Sequence, residues 1–133
     1  MGDRKLESSE PREQARLEKR RFPRWRASGW LSGWIGDAIK VSVVDISMGG
    51  VLIEHSYVIR SGTICILTLS LCGTRVSVKC RVVRSALHRY EVWPVEGRNY
   101  VYRTGLELAD VSEDSQQLIS GYIEFLRAKT AGY

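Results

Sequence analysis

The chain has 133 residues, of which 44% are hydrophobic and 26% charged, and its formal net charge is +5. This length suits one domain whose core needs no disulfide or metal for support, and the near-average composition excludes fibrous repeats and wholesale disorder. No apolar run approaches the roughly 20 residues that span a bilayer, and the first residues lack the apolar core of a secretory signal. We therefore expect a soluble, cytoplasmic protein without a membrane span.

The excess positive charge lies in the N-terminal part. Residues 1–26 contain nine Arg or Lys and five acidic residues, whereas residues 27–133 contain eleven Arg or Lys and ten acidic residues. A basic arm on a nearly neutral body indicates an anionic partner such as a nucleotide, a nucleic acid or a membrane surface, although such charge also serves solubility alone. We expect residues 1–16 to form a flexible basic arm. A short helix is predicted over 11–21, ending before Pro23.

The segment 25–36 is rich in Trp, Gly and Ser. Its glycines, Gly29, Gly33 and Gly36, predict turns or bulges. Its tryptophans, Trp25, Trp30 and Trp34, fit either half-buried aromatics at the rim of a barrel or a patch that docks a partner or stacks on bases.

Apolar and polar residues then alternate, as in half-buried strands. The pattern predicts strands over 39–43, 51–53, 63–71, 75–82 and 100–108, with turns at 47–50, 61–62 and 72–73. Residues 86–99 are less regular and indicate an extended hairpin or a loop.

The period becomes helical near the C-terminus, where Ser112 is a plausible N-cap and Glu113 and Asp114 fall in the first turn. One helical face carries Leu118, Ile119, Tyr122, Ile123 and Leu126. The helix is predicted to end at about Arg127. Short strands followed by one helix predict a mostly β fold, a small antiparallel β-barrel with the C-terminal helix packed on it.

Signatures of catalysis and of metal binding are absent from the sequence. The three cysteines, Cys65, Cys72 and Cys80, have neither disulfide-framework nor zinc spacing and predict buried free thiols on strands. Asp45, Ser47 and His55 permit a Ser-His-Asp arrangement by count, but nothing resembles a nucleophile elbow. We therefore predict no enzymatic activity, no metal site and no cofactor.

Two clusters carry recognisable binding chemistry. The first contains Arg20, Arg21 and Arg24, and the second is Asp45-x-Ser47-x-x-Gly50 at the end of an alternating strand. Each alone also fits a structural role, a solvated basic face or strand-end turn chemistry. Together they suit a phosphorylated guanine compound, since Arg grips phosphate or a guanine edge and a carboxylate accepts from the guanine N1–H and N2–H₂ donors.

The order of these two clusters, a small barrel and a terminal helix resembles the PilZ domain family of bacterial cyclic di-GMP receptors. The resemblance covers residues 17–127, leaving 128–133 as a tail, and it implies a six-stranded, split-type barrel. The stretch 102–112 also resembles the family's last strand, with Leu108 where the family often has Phe.

The resemblance implies that Arg20 and Arg24 clasp the ligand's phosphates and guanine edges, with an added contact from Arg21. Asp45 and Ser47 would hold a guanine, and Gly50 would keep the turn open. The arginine loop would become ordered on the ligand and relay the signal to an effector protein that the sequence does not name. Lys19, before the first arginine, favours a stacked ligand pair over one molecule.

Two alternatives stay open at this point. The basic arm, the small barrel and the aromatics also fit a module that binds single-stranded nucleic acid, in which Asp45 would be a liability. A domain of the same fold that acts only through protein contacts is the other alternative.

Overall fold

The structure, a computed structural model, describes residues 23–27, 31–95 and 98–131. These residues form seven strands and one helix. They are β1 (Trp25–Arg26), β2 (Ser32–Ile35), β3 (Ile39–Ile46), β4 (Gly50–His55), β5 (Ile64–Leu71), β6 (Thr74–Val95), β7 (Arg98–Leu108) and α1 (Glu113–Ala131). The predicted arm and the predicted helix 11–21 lie outside the described residues, as do Arg20, Arg21, Gly29 and Trp30.

Six of the strands close into an antiparallel barrel. Their order is β3-β2-β5-β6-β7-β4, and β4 pairs back with β3 to complete the circle. The short β1 is an addition that pairs with the C-terminal end of β3. The predicted six-stranded antiparallel barrel with a C-terminal helix is therefore confirmed.

The core fills the barrel and continues beneath the helix. Alternate residues of each strand point inward, and the largest fully buried ones include Ile46, Ile53, Leu67 and Leu71. The helix α1 packs against β1, β5 and β6. It buries Ile119, Tyr122 and Leu126 and partly buries Leu118 and Ile123, which is the face that the sequence predicted.

The start of α1 is as predicted, and its end is not. The Ser112 hydroxyl accepts a hydrogen bond from the Ser115 N–H at 3.1 Å, which satisfies one of the free donors of the first turn. The helix continues to Ala131 instead of ending near Arg127. Ala128 and Lys129 are good helix formers, and residues 128–131 contain no Gly or Pro that would end the helix.

The sequence pattern does not predict the strand β2, and Gly33 explains why. This glycine pairs with Val41 on one side and Leu69 on the other. A Cβ at Gly33 would overlap the Thr68 carbonyl oxygen, so only glycine lets β2 fit between its neighbours. The turn predicted at Gly36 is present, with φ of 60°.

The described residues of the segment 86–99, which are 86–95 and 98–99, belong to the two strands of a long hairpin, as in the first of the two predicted forms. Pairing of β6 with β7 runs from Cys80↔Leu108 to Val95↔Arg98 and is interrupted by register shifts such as Val82/Arg84. Each shift moves the alternation by one residue. The pattern therefore looks irregular in the sequence although the strands continue.

The cysteines agree only in part with the expectation of buried thiols. Cys80 is buried and Cys65, directly opposite it, is half-buried. Burial raises the pKa of the Cys80 thiol to about 12. Cys72 is exposed, and the prediction for it is wrong. It lies in the two-residue turn between β5 and β6 with φ of 51°, followed by Gly73 at 84°, as in a type I′ hairpin turn.

In the described residues, no helix has the length and apolar character needed to cross a membrane.

Candidate functional site

The end of β3 contains a β-bulge that decides the direction of Asp45. Val43 pairs with Ile53 and Asp45 pairs with Leu52, so Val44 is the extra residue. Val43, Val44 and Ile46 are all buried, whereas Asp45 is only partly so. Without the extra residue, strict alternation would turn Asp45 into the core. The bulge thus places a carboxylate on the outside of the barrel.

The strand β1 brings basic residues to this carboxylate. Arg26 pairs with Asp45 and Trp25 pairs with Ile46. An Nη1 atom of Arg24, just before β1, lies 4.0 Å from Oδ1 of Asp45, with side-chain exposures of 47% and 20%. An ion pair this open contributes little to stability. It leaves a guanidinium and a carboxylate side by side at an accessible surface.

The turn after β3 uses all the hydrogen-bonding capacity of Ser47. Its hydroxyl accepts from the N–H groups of Gly49 (3.2 Å) and Gly50 (3.0 Å) and donates to the Gly50 carbonyl at 3.2 Å. A hydroxyl offers one donor and two acceptor positions, and the residue is 5% exposed. A direct ligand contact through Ser47 would require this turn to open.

Gly50 is set by the approach of β7. A Cβ at this position would lie 2.7 Å from the Leu106 carbonyl oxygen. A positive φ is not the reason, because the positive-φ glycines of the described residues are Gly36, Gly62 and Gly73. The absence of a side chain lets the turn close onto the barrel, and the Leu108 N–H donates to the Gly49 carbonyl at 3.0 Å.

The structure thus brings Arg24, Asp45, Ser47 and Gly50 together at one end of β3. Arg20 and Arg21 lie outside the described residues. Arg26 was not singled out by the sequence analysis. The charge count of residues 1–26 includes it, but only the β1–β3 pairing shows that it lies opposite Asp45.

The two described tryptophans of the segment 25–36 differ in burial. Trp25 is half-buried and packs against the core. Trp34 is 38% exposed on the outer face of β2, where its cross-strand neighbours are Lys40 and Thr68.

His55 lies away from this site, at the other end of β4. Its Nδ1 accepts from the Tyr57 N–H at 3.2 Å, so its Nε2 carries the proton and donates to Thr104 Oγ1 at 2.6 Å. Burial lowers the pKa of His55 below its ordinary value. Asp45 and Ser47 therefore do not form a Ser-His-Asp triad with His55. Within the described residues no group of three His, Cys, Asp or Glu side chains could hold a metal ion.

A second charged cluster on the barrel is internally paired. Glu54 Oε2 accepts from Arg103 Nε at 2.8 Å and from Arg89 Nη1 at 3.1 Å, and Arg89 also donates to Glu91. Burial raises the pKa of Glu54, but the two arginines outweigh this effect and hold it below the ordinary value. These charges are engaged with one another.

Comparisons with known proteins agree with the fold. A family model described as PilZ domain matches residues 18–125. No curated protein matches the chain. The solved structure of the PilZ domain with c-di-GMP of YcgR from Escherichia coli is similar with a TM-score of 0.67 and 12% identity, covering 84% of this chain and 94% of that one.

Two further solved structures are similar over about half of their own length. MrkH, described as a c-di-GMP-dependent transcription regulatory factor, gives a TM-score of 0.64 and 17% identity over 80% of this chain and 50% of that one. The Bacillus subtilis inhibitor of motility MotI/DgrA gives a TM-score of 0.62 and 16% identity, covering 86% of this chain and 52% of that one. At these identities the likeness concerns the fold.

Proposed function

This chain belongs to the PilZ domain family, and we propose that it is a cyclic di-GMP receptor with no enzymatic activity. The observation that carries the proposal is the approach of Arg24 to Asp45, 4.0 Å apart at an accessible surface. The similar PilZ domain of YcgR was solved with c-di-GMP, and the similar MrkH is described as c-di-GMP-dependent, which supports the choice of ligand.

The chemistry of the two side chains suits a guanine dinucleotide. A carboxylate is acceptor-only and matches the N1–H and N2–H₂ donors of guanine. A guanidinium donates in a planar fork, grips phosphate and reads the guanine O6/N7 edge. Asp45 therefore holds a base, and Arg24 contacts a phosphate or the same base. Ser47 and Gly50 support ligand binding indirectly, because they fix the turn that follows Asp45.

Arg20 and Arg21 complete the clasp from the N-terminal side. Three arginines within five positions provide charge for both phosphates of cyclic di-GMP. The N-terminal arginine loop becomes ordered around the ligand, one molecule or a stacked pair, and Lys19 favours the pair. The new position of the arm is the signal that an effector protein reads, so no reaction is needed. The domain that carries this function is residues 17–127.

Titration calorimetry of the full chain tests the proposal. Cyclic di-GMP is expected to bind with micromolar affinity or better, about −8 kcal/mol, while GTP and a short single-stranded oligonucleotide do not. The stoichiometry distinguishes one ligand from two. Binding to the oligonucleotide alone would instead favour the nucleic-acid module, and a folded chain that binds neither would favour a domain acting through protein contacts.

Two substitutions separate the roles. Arg24→Ala removes a charge-assisted contact worth roughly 1.5–3 kcal/mol, about 10- to 150-fold in affinity. Asp45→Ala weakens a guanine receptor but spares or strengthens a binder that reads phosphate alone. Arg89→Ala, which removes an arginine paired with Glu54, is the matched control. Unchanged affinity in Asp45→Ala would contradict the role given to Asp45.

A further inference from the structure

The hairpin of β6 and β7 projects beyond the barrel. The last pair between β4 and β7 is His55↔Tyr102, and the last pair between β5 and β6 is Ile64↔Arg81. Beyond these points β6 and β7 pair with each other through Leu87↔Tyr102 and Tyr90↔Tyr100 to Val95↔Arg98. We call residues 87–95 and 98–102 the hairpin arm, in distinction from the N-terminal basic arm, and refer to it in this subsection as the arm. A two-stranded ribbon of this kind is marginally stable in water by itself.

One face of the arm continues the interior of the barrel. In β7 Leu106 and Thr104 face the interior of the barrel and are buried. Because every second residue of a strand lies on the same face, Tyr102 and Tyr100 lie on this face too, where the strand extends beyond the barrel. Their partners across the ladder are Leu87 and Tyr90. The opposite face carries Arg89 and Arg103, in the ion-paired cluster with Glu54. The arm is thus amphipathic.

The apolar face of the arm is exposed to solvent. Leu87 and Tyr90 are each 55% exposed and Tyr100 is 51% exposed. The rings of Tyr90 and Tyr100 meet edge to face with centroids 5.1 Å apart, so they form one continuous surface. Tyr57 and Val58, which follow β4 at the base of the arm, are exposed by 44% and 62%. We call these five residues the arm patch.

We propose that the arm patch is a self-association surface, on which a second copy of this chain packs across a two-fold axis. Such an axis places the same surface on both copies, so a charged residue near the axis would lie close to the same residue of the other copy. The chain is basic, with net charge +5. Yet among the described cross-strand pairs from Ser85↔Thr104 to Tyr90↔Tyr100, the residues on this face carry no charge. Two copies of the arm patch can therefore meet without repulsion.

The area available agrees with a reversible dimer. Each tyrosine side chain can bury about 150–250 Å², Leu87 and Val58 add smaller areas, and the five residues of the arm patch are about half exposed. This gives roughly 500 Å² per copy and roughly 1,000 Å² in total, which is near the lower limit for a specific interface. A patch of roughly 500 Å² is comparable in size to the largest apolar patch of a typical monomer, which is often functional.

The arm patch is remote from the candidate ligand site. Gly50, beside the turn that follows Asp45, and His55, at the base of the arm, are the two ends of β4. Five steps along a strand span about 17 Å. Dimerisation is therefore expected to occur without ligand, and loss of one activity should leave the other in place.

Sedimentation velocity of the full chain without ligand, from about 1 to 200 μM, tests this proposal. The weight-average mass should rise from 15.1 kDa toward twice that value. Leu87→Glu should increase the dissociation constant of the dimer at least tenfold, because it buries two carboxylates in an apolar contact. Ile66→Glu, at a similarly exposed apolar residue on β5 (45%), is the matched control and should dimerise as the wild type does.

Circular dichroism establishes that each variant is folded, and Leu87→Gln replaces Leu87→Glu if the latter does not fold. A wild-type chain that stays monomeric over the whole range would overturn the proposal, as would equal effects of Leu87→Glu and Ile66→Glu. Arg24→Ala should abolish or weaken cyclic di-GMP binding and leave the dimer unchanged. Failure of the dimer is thus distinguished from failure of the proposed receptor function.

Discussion

Arg26 lies directly opposite Asp45 where β1 pairs with the end of β3, so both side chains emerge on the same side of the ladder. The bulge at Val44 and the β1 pairing both contribute to this arrangement. It gives Asp45 a basic neighbour within the sheet in addition to Arg24, and it adds positive charge where the two phosphates of cyclic di-GMP would bind.

Arg26→Ala is therefore expected to weaken cyclic di-GMP binding less than Arg24→Ala does. Exposed charge pairs contribute about 0.2–1 kcal/mol, which corresponds to a loss of up to about fivefold. Arg26→Glu should weaken binding further, because it repels both Asp45 and the phosphates. Calorimetry at two salt concentrations measures this, and an Arg26→Glu chain that binds as tightly as the wild type would show that Arg26 does not act on the ligand.

Gly50→Ala should destabilise the fold because its Cβ would meet backbone. The added atom would lie 2.7 Å from the Leu106 carbonyl oxygen, and a backbone group cannot rotate away. Overpacking of this kind costs about 1–3 kcal/mol in the free energy of unfolding. Gly105→Ala is the control in the partner strand, since its Cβ would meet nothing within 4 Å. Urea denaturation of both variants should separate them, and equal stabilities would contradict the steric explanation.

Much of the barrel could be predicted from the sequence, since alternation is a local signal. The strand over Val76 to Val82 and the helical face around Ile119 follow directly from their periods. The strand β2 could not be predicted, because Gly33 is selected by the Thr68 carbonyl oxygen of another strand. The continuous course of β6 was hidden by its register shifts.

The structure brings together four residues that the sequence singles out by type and spacing, Arg24, Asp45, Ser47 and Gly50. Their binding of a ligand stays a prediction. The position of Arg26 opposite Asp45 results from pairing between two strands that are separated in the sequence, and a local sequence pattern does not predict such pairing. The use of the Ser47 hydroxyl within its own turn was the structural alternative that the sequence left open.

His55 is expected to make stability depend on pH. Burial lowers its pKa in the folded state below 6.5, so the folded chain binds fewer protons than the unfolded one. The contribution of neutral His55 is fully present above pH 6.5 and is lost as pH falls toward the lowered value. Protonation would also remove the acceptor for the Tyr57 N–H.

Urea denaturation at pH 7.5 and pH 5.5 measures this effect. The wild type should lose stability at the lower pH, and His55→Gln should lose less. His88→Gln, at the exposed second histidine, is the control and should behave as the wild type does. If His55→Gln shows the full wild-type loss between the two pH values, His55 is not the group responsible.

Tyr122 gives the opposite kind of prediction, a substitution that stabilises. Its hydroxyl oxygen is buried and has no hydrogen-bond partner among the described residues, while its ring packs in the interface between α1 and the barrel. Burial also raises the pKa of this phenol, with a smaller contribution from Cys72. A buried polar group without a partner costs about 1–3 kcal/mol. Tyr122→Phe keeps the ring and removes that cost.

We therefore expect Tyr122→Phe to increase the free energy of unfolding by about 1 kcal/mol. Tyr100→Phe makes the same chemical change at a ring that is 51% exposed, and surface changes of this kind stay within about 0.5 kcal/mol. Denaturation by urea at a fixed protein concentration compares the two variants with the wild type. A loss of stability in Tyr122→Phe would contradict the prediction and show that the hydroxyl has a partner such as an ordered water. A gain in Tyr122→Phe without one in Tyr100→Phe would show that the buried hydroxyl lowers the free energy of unfolding of the wild type.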